Sequence, residues 1–366
     1  MTKPSSLHPA WRPENAGPEY AARIVPGGGR SAAKTKSPPR RRRLSPEEYA
    51  AGVLGGDRAL LAQTITVVES DATARITEAQ AVLARLLPHA GRAVRIGITG
   101  VPGAGKSSLI EAWGTQLCGQ GRRVAVLAVD PSSSVSRGSI LGDKTRMEQL
   151  AREPNAFIRP SPSGGALGGV ARKTRETILV CEAAGYEIIL VETVGVGQSE
   201  IAVRSMVDFL LLLTITGGGD DLQGMKRGAL ELADAVCVTK ADGANAAAAE
   251  ATRRQLQESL HYLAPATPGW LARALACSAR TGEGIPALGR TVEEFLEATR
   301  ASGAFAERRR RQNLAWARTM LEEALRDDFF RQPAVAARRA EWERAILDGS
   351  IPVTAAVREL LALGGK

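Results

Sequence analysis

The segment Gly100-Val101-Pro102-Gly103-Ala104-Gly105-Lys106-Ser107 constrains this chain more than any other. It fits the pattern G-x-x-x-x-G-K-[ST], and it lies between an apolar run, Val94–Thr99, and a helical pattern over Lys106–Leu117. A loop that wraps phosphate oxygens must bring many backbone N–H donors to close range, which excludes bulky side chains. Gly100, Gly103, Ala104 and Gly105 meet that demand. The helix that follows adds the partial positive charge of its N-terminus, with Ser108 beside Lys106 and Ser107 in the first turn. In such a loop Lys106 reaches the β- and γ-phosphates and Ser107 holds Mg2+. The segment reads as a nucleoside triphosphate site, and it commits its neighbours to a strand–loop–helix unit.

Short apolar runs bounded by Gly, Asp or Pro recur after residue 94: Val94–Thr99, Val124–Val129, Ile188–Val191, Phe209–Ile215, Ala235–Val238 and Ala274–Cys277. Helical patterns over Lys106–Leu117, Val170–Ala184 and Ala244–Leu263 separate several of them. Such runs are strands buried on both faces. The expected fold is α/β, a P-loop NTPase G domain with a mainly parallel sheet covered by helices, its ligands at the carboxyl ends of the strands. Residues 44–90 read as a helical segment, from the start signal Ser45-Pro46-Glu47-Glu48 and the spacing of Ile76, Ala79, Leu83 and Leu86. After about residue 300 strand signals stop, and helices are expected over 304–330, 334–348 and 353–363. The organisation is thus a tail (1–43), an N-terminal helical segment (44–90), the G domain (91–300) and a C-terminal helical extension (301–366). In that extension Leu314, Ala317, Leu321, Leu325 and Phe329 nearly sustain one apolar stripe, with Trp316 and Met320 beside it, which something must cover. Arg308–Arg311 reads as a solvated face.

Charge has to be located before it is interpreted. The 366 residues carry a net +9, but ten Lys/Arg against Glu14 and Glu19 place +8 of it in residues 1–43. That segment is rich in Pro, Gly and Ser and has no sustained apolar period, so it reads as a disordered tail. Binding of nucleic acid or an acidic surface through Arg40–Arg43, and an organelle transit peptide, are the alternatives. Four widely spaced cysteines and three isolated histidines (His8, His89, His261) exclude a secreted disulfide scaffold and argue against a zinc finger. No apolar run approaches the roughly 20 residues of a membrane helix. The expected location is cytoplasmic, or the mitochondrial matrix in a eukaryote, with neither membrane nor nucleic acid as a partner.

Thr239-Lys240-Ala241-Asp242 follows the run Ala235–Val238, where G-domain proteins carry the guanine-reading N-K-x-D. An aspartate accepts from both N1–H and the exocyclic amine of guanine, and adenine leaves it unpaired. The Lys240 stem can lie along the purine face. Ser278-Ala279-Arg280 resembles the loop whose backbone N–H meets the guanine carbonyl oxygen. Thr239 in place of Asn removes an amide bridge, which is expected to loosen base binding. Asp130 closes the run Val124–Val129, Asp143 follows in a glycine-flanked stretch, and Glu192-Thr193-Val194-Gly195 occupies the place of a D-x-x-G switch. Ser107, Asp130, Asp143 and Glu192 are the candidate magnesium set, directly or through water. Lys106, Glu192 and Gly195 are the expected catalytic group. Val196 stands where Ras-like proteins orient water with Gln, so hydrolysis by the isolated protein is expected to be slow, with Gln198 a weaker substitute.

The series GVPGAGKSS, VDPSS, GSILGDKTRM, GGVARKTRE, VETVGVGQSE, GGGDDLQGMKRG and TKAD resembles the cobalamin-mutase-associated GTPases, the MeaB/ArgK/MMAA group of the SIMIBI class, over about residues 45–366. The resemblance implies GTP as substrate with Mg2+, and a partner that is an adenosylcobalamin-dependent acyl-CoA mutase of the methylmalonyl-CoA mutase type. GTP hydrolysis would gate cofactor loading and protect or reactivate the mutase, and adenosylcobalamin would be handled only through it. It places the magnesium residues on Ser107, Asp130, Asp143 and Glu192. It also implies an extra switch over Ile215–Lys226, with Asp220, Asp221, Gln223 and Lys226 coupling nucleotide to partner, and a homodimer formed by the C-terminal extension. Two other readings stay open: a kinase of a transport or carrier protein, and a nickel metallochaperone GTPase.

Overall fold

The computed structural model describes residues 43–70, 72–129, 147–161, 167–193, 199–216 and 227–364. Strands β1 (Val94–Gly100), β2 (Val124–Val129), β3 (Ala156–Ser161), β4 (Ile188–Thr193), β5 (Phe209–Thr214), β6 (Ala235–Val238) and β7 (Arg273–Ala276) form one sheet. Its order is β3-β2-β4-β1-β5-β6-β7, and every pairing is parallel. Alternation along each strand sorts the core into two layers. Val124 and Val126, Ile188 and Leu190, and Phe209, Leu211 and Leu213 face one side. Ala125 and Leu127, Ile189 and Val191, and Leu210 and Leu212 face the other. Apolar residues at both phases of a two-residue period require helices on both faces, which parallel crossovers supply.

The N-terminal helices α1 (Pro46–Leu54), α2 (Arg58–Val68) and α3 (Thr73–Leu86) supply part of that cover. A capping box starts α1: Glu48 N–H donates to Ser45 Oγ (3.2 Å) and Ser45 N–H donates to Glu48 Oε2 (2.7 Å), with Pro46 in the first turn. α4 (Lys106–Gly119) follows β1, and the short α5 (Glu148–Arg152) precedes β3; α6 (Leu167–Ala183) and α7 (Ser199–Arg204) flank β4. Val53, Leu61, Ile65, Val82 and Leu86 share one core with Phe157, Ile178, Cys181 and Val203. The helical segment over 44–90 therefore packs on the sheet layer as part of the unit Leu44–Lys366. α8 (Arg227–Leu232) and α9 (Ala246–His261) cover the β5–β6–β7 half of the same face, and α10 (Ile285–Ala301) packs with α4 on the opposite face. All four cysteines are buried free thiols.

Two elements depart from the sequence expectation. β3 was not expected: its apolar stretch Ala156–Ile158 is short and gives way to Arg159-Pro160, and an edge strand tolerates that proline. α10 was not singled out, although Ile285, Leu288, Val292 and Phe295 keep a helical period and are buried.

The C-terminal helices are α11 (Ala304–Arg331), α12 (Pro333–Leu347) and α13 (Val353–Gly364). The reading of Arg308–Arg311 as a solvated face is correct only for Arg310 and Arg311, which are exposed and pair with Glu307. Arg308 and Arg309 are buried anchors. Arg309 forks onto Asp208 (2.8 and 2.6 Å), and Arg308 reaches Asp234 (3.5 Å), Thr267 and the Asp208 carbonyl. Arg204 also pairs with Asp234, and Gln312 donates to the Val207 carbonyl (2.8 Å). Sequence spacing alone cannot reveal these pairs, since the partners lie about a hundred residues away on the amino-terminal edge of the sheet. Asp234 is fully buried and serves Arg204, Arg308, Thr267 and the Leu210 N–H. Removing it strands two buried guanidiniums, so Asp234→Ala is expected to lower unfolding free energy by about 3 kcal/mol. Glu341→Ala, which breaks an exposed pair with Arg338, should change it by less than about 0.5 kcal/mol in the same denaturant titration.

Candidate functional site

The P-loop begins where β1 meets β5. Gly100 has φ of 153°, and a Cβ there would lie 2.3 Å from the Leu213 carbonyl oxygen, so the strand pair can close only on glycine. Gly105 adopts φ of 76° at the N-cap of α4, turning the loop into the helix, with Ala104 buried beneath it and Pro102 and Gly103 exposed at the tip. Lys106 Nζ donates to the carbonyls of Gly100 (2.9 Å) and Val101 (3.2 Å), so its side chain folds back across its own loop. Burial pulls the Lys106 pKa down, and the Glu192 carboxylate opposes that shift.

Register between β1 and β4 sets Ile98 beside Glu192, which places that carboxylate at the mouth of the loop. Ser107 Oγ donates to Glu192 Oε1 at 2.8 Å, and Glu192 is buried. A hydroxyl and a carboxylate converging at the start of a phosphate-binding helix are hard oxygen donors, the set that Mg2+ prefers. The residues present therefore fit the ion. Asp130, Asp143, Gly195, Val196, Gln198, Asp220, Asp221, Gln223 and Lys226 lie outside the described residues.

A cavity of about 300 Å3 opens beside the loop at the carboxyl ends of β6 and β7. It brings together Ala104, Gly105 and Ser108 with Thr239, Lys240, Asp242, Ser278, Ala279 and Arg280, nine of the residues singled out in the sequence. Ser278 Oγ donates to Asp242 Oδ2 and accepts from the backbone N–H groups of Arg280 and Thr281 (3.2 Å each), which fixes the carboxylate's orientation. Such a carboxylate can accept two hydrogen bonds from a planar base edge.

Thr239 behaves differently from the expectation. Its buried hydroxyl lies 2.7 Å from the Ala104 carbonyl and 2.9 Å from that of Thr214, sharing one proton between the P-loop and β5. The tether expected to vanish with the Asn amide is thus rebuilt by a shorter side chain.

Sequence reasoning also missed Asn245. Lys240 is the non-glycine residue with positive φ (56°) among the described residues, and Asn245 Nδ2 donates to its carbonyl at 2.7 Å. Asn245 Oδ1 accepts from Thr216 Oγ1 at 2.5 Å. An Asn at a helix start suggests a cap, but this side chain makes no cap bond to α9 and turns back to hold the strained Lys240 backbone. The signal available was its position three residues after Asp242.

If the Thr239 hydroxyl carries the link from loop to cavity, Thr239→Val should weaken GTP binding about fivefold to tenfold, the value of one buried hydrogen bond. Thr239→Asn should bind as the parent does. Calorimetric titration of folded variants measures both.

The sequence model of a family described as Methylmalonyl Co-A mutase-associated GTPase MeaB matches residues 61–334. A protein of Caulobacter vibrioides named as a GTPase is 53% identical over 313 residues, covering 86% of this chain and 96% of that protein. The mitochondrial methylmalonic aciduria type A homolog of Mus musculus is 44% identical over 310 residues, covering 82% of this chain and 75% of its own length. Among solved structures, a LAO/AO transport system kinase superposes with a TM-score of 0.70 at 35% identity, covering 87% of this chain and 96% of that one. With a P-loop, a carboxylate-ended β4 and an Asp242 cavity in one row of strand ends, and this match across most of its length, the chain belongs to the MeaB family of GTPases.

Proposed function

We propose that this GTPase is a chaperone and regulator of an adenosylcobalamin-dependent acyl-CoA mutase of the methylmalonyl-CoA mutase type, gating cofactor loading and protecting or reactivating the mutase. The family match over residues 61–334, which runs from α2 through the whole of α11, carries this reading. In it, Lys106 exchanges the Gly100 and Val101 carbonyls for the β- and γ-phosphate oxygens, and the amides of Gly103, Gly105 and Ser107 line the phosphates. Asp242 reads guanine, Lys240 lies along its face, and the Ala279 backbone meets its carbonyl oxygen. Ser107 and Glu192, with Asp130 and Asp143, would hold Mg2+, which supplies neutralisation of charge developing between the phosphates. Gly195 follows Glu192 in the switch, and Val196 cannot orient water, so completion of the hydrolytic site falls to the partner. Asp220, Asp221, Gln223 and Lys226 belong to the segment that couples nucleotide to mutase.

The C-terminal helices support a homodimer. Leu314, Leu321 and Leu325 of α11 and Val353, Val357 and Leu361 of α13 are exposed, whereas Ala356 and Leu360 of α13 are buried. Six large apolar side chains recurring at helical spacing on an exposed surface favour a second copy over solvent. Among the described residues no helix is long and apolar enough to cross a membrane, and a reducing, cytoplasmic setting suits four buried free thiols.

Phosphate release should be slow for the isolated protein and rise about tenfold or more when its cognate mutase is added. No change in rate and no complex with any cobalamin-dependent acyl-CoA mutase would defeat the chaperone reading. Leu321→Glu should convert a dimer into a monomer in sedimentation velocity while leaving basal hydrolysis within about twofold, because it places a charge in an apolar contact far from the P-loop.

A further inference from the structure

The amino-terminal edge of the sheet, opposite the P-loop, carries a second cavity of about 390 Å3 between α6, α11 and the turn Leu87–His89. Its charged lining is Arg95, Arg175, Arg309 and Glu182. Two of these guanidiniums are matched. Arg95 forks onto Glu182 (2.9 and 3.0 Å), which also accepts from the Gly91 N–H (2.7 Å), and Arg309 forks onto Asp208. Arg175 is different. Its terminal nitrogens donate only to neutral acceptors, the Ser205 carbonyl (2.6 Å), Ser205 Oγ (2.8 Å) and the Gln312 carbonyl (3.3 Å). Its buried Nε–H has no acceptor, and neither does the buried indole N–H of Trp316, whose ring centroid is 5.4 Å from the Arg175 Cζ. Burial lowers the Arg175 pKa to about 10, and the nearby charge of Arg95 adds to the shift.

Three carboxylate-competent guanidiniums thus share two carboxylates, and the odd one keeps an idle donor beside a second idle donor. Buried donors without acceptors and a buried cation without a counter-ion are each unfavourable, and a single anionic oxygen relieves both. The remaining wall is apolar, formed by Leu87, Ile178, Leu179 and the Trp316 ring. Its volume falls within the roughly 300–1,000 Å3 of small-molecule sites. A compact polyanion would satisfy Arg175 but leave that wall wet.

We propose that this cavity is a second ligand site, taking an organic monocarboxylate with an apolar body whose carboxylate accepts from the Arg175 Nε–H and the Trp316 indole N–H. The occupant would sit at a joint. Ser205 closes α7, and Gln312 and Trp316 belong to α11, so the same guanidinium that meets the ligand already ties the G domain to the C-terminal helix.

Calorimetric titration of the full-length protein, loaded with GDP so that the nucleotide site is filled, tests this with hexanoate and 3-phenylpropanoate as probes. Their neutral amides and inorganic phosphate serve as controls. Both carboxylates should saturate one site, with amides and phosphate at least about tenfold weaker. Trp316→Phe, which keeps the ring and removes only the N–H, should weaken the carboxylates about fivefold. Failure of both carboxylates to saturate, equal binding of an amide or of phosphate, or unchanged affinity in folded Trp316→Phe would each overturn the proposal.

Discussion

Closure of β1 against β5 at Gly100 sets the geometry on which the nucleotide site rests. With no Cβ in the way, the Leu213 carbonyl approaches the strand end, and the P-loop leaves the sheet at the point where its neighbours deliver their own terminal residues. β4 brings Glu192 to one side and β6 brings Thr239 to the other. The Thr239 hydroxyl then spans Ala104 and Thr214, so phosphate loop, central strand and base loop are joined through one buried proton. Parallel strands make this possible, because only they present all their carboxyl ends along one edge. The same geometry explains why the side chains that matter here are short. Backbone amides make up most of a phosphate cradle, and side chains need only hold the backbone in place.

The opposite edge of the sheet is organised by charge. Asp208 and Asp234 immediately precede β5 and β6, and both turn toward α11, where Arg308 and Arg309 meet them. Buried ion pairs add little net stability over apolar contacts, yet they are unforgiving of misalignment, since a displaced partner leaves a bare charge. A long helix attached in this way has one acceptable seat on the G domain. That constraint suits an arm that must present apolar side chains at a fixed angle to another surface.

What could be read from the sequence follows the range of the interactions. The P-loop and Thr239-Lys240-Ala241-Asp242 are local: their glycines, charges and spacing act within a few residues, and the structure places both at strand ends. Buried strands were legible because they are uniformly apolar, and β3 was not, because an edge strand tolerates Arg159 and Pro160. Arg308–Arg311 looked uniform in sequence, but two of the four are paired with aspartates that only the fold brings near. Thr239 looked like a loss because the comparison was made between side chains. Its replacement partner is a backbone carbonyl of another loop, which no residue type advertises. Asn245 was hidden for a similar reason, its position at a helix start supplying a more ordinary explanation than the one its hydrogen bonds give.

These two edges are not independent, and α7 is where they meet. Its first residue, Ser199, lies six positions after Thr193, the end of the strand that carries Glu192 to the P-loop. Its last turn gives up its carbonyls to the C-terminal helix: Arg204 O and Val207 O accept from Gln312, and Ser205 O accepts from Arg175. One end of a six-residue helix is thus governed by the carboxylate that meets Ser107, and the other by residues bonded to α11. A helix this short is rigid enough to move as a body, so a shift at its start cannot be absorbed along its length. Coupling between nucleotide and arm then needs no long chain of side chains. It needs only that Gln312 and Arg175 hold their carbonyls while the preceding switch changes, which is the condition under which a small displacement at the phosphate becomes a rotation of α11.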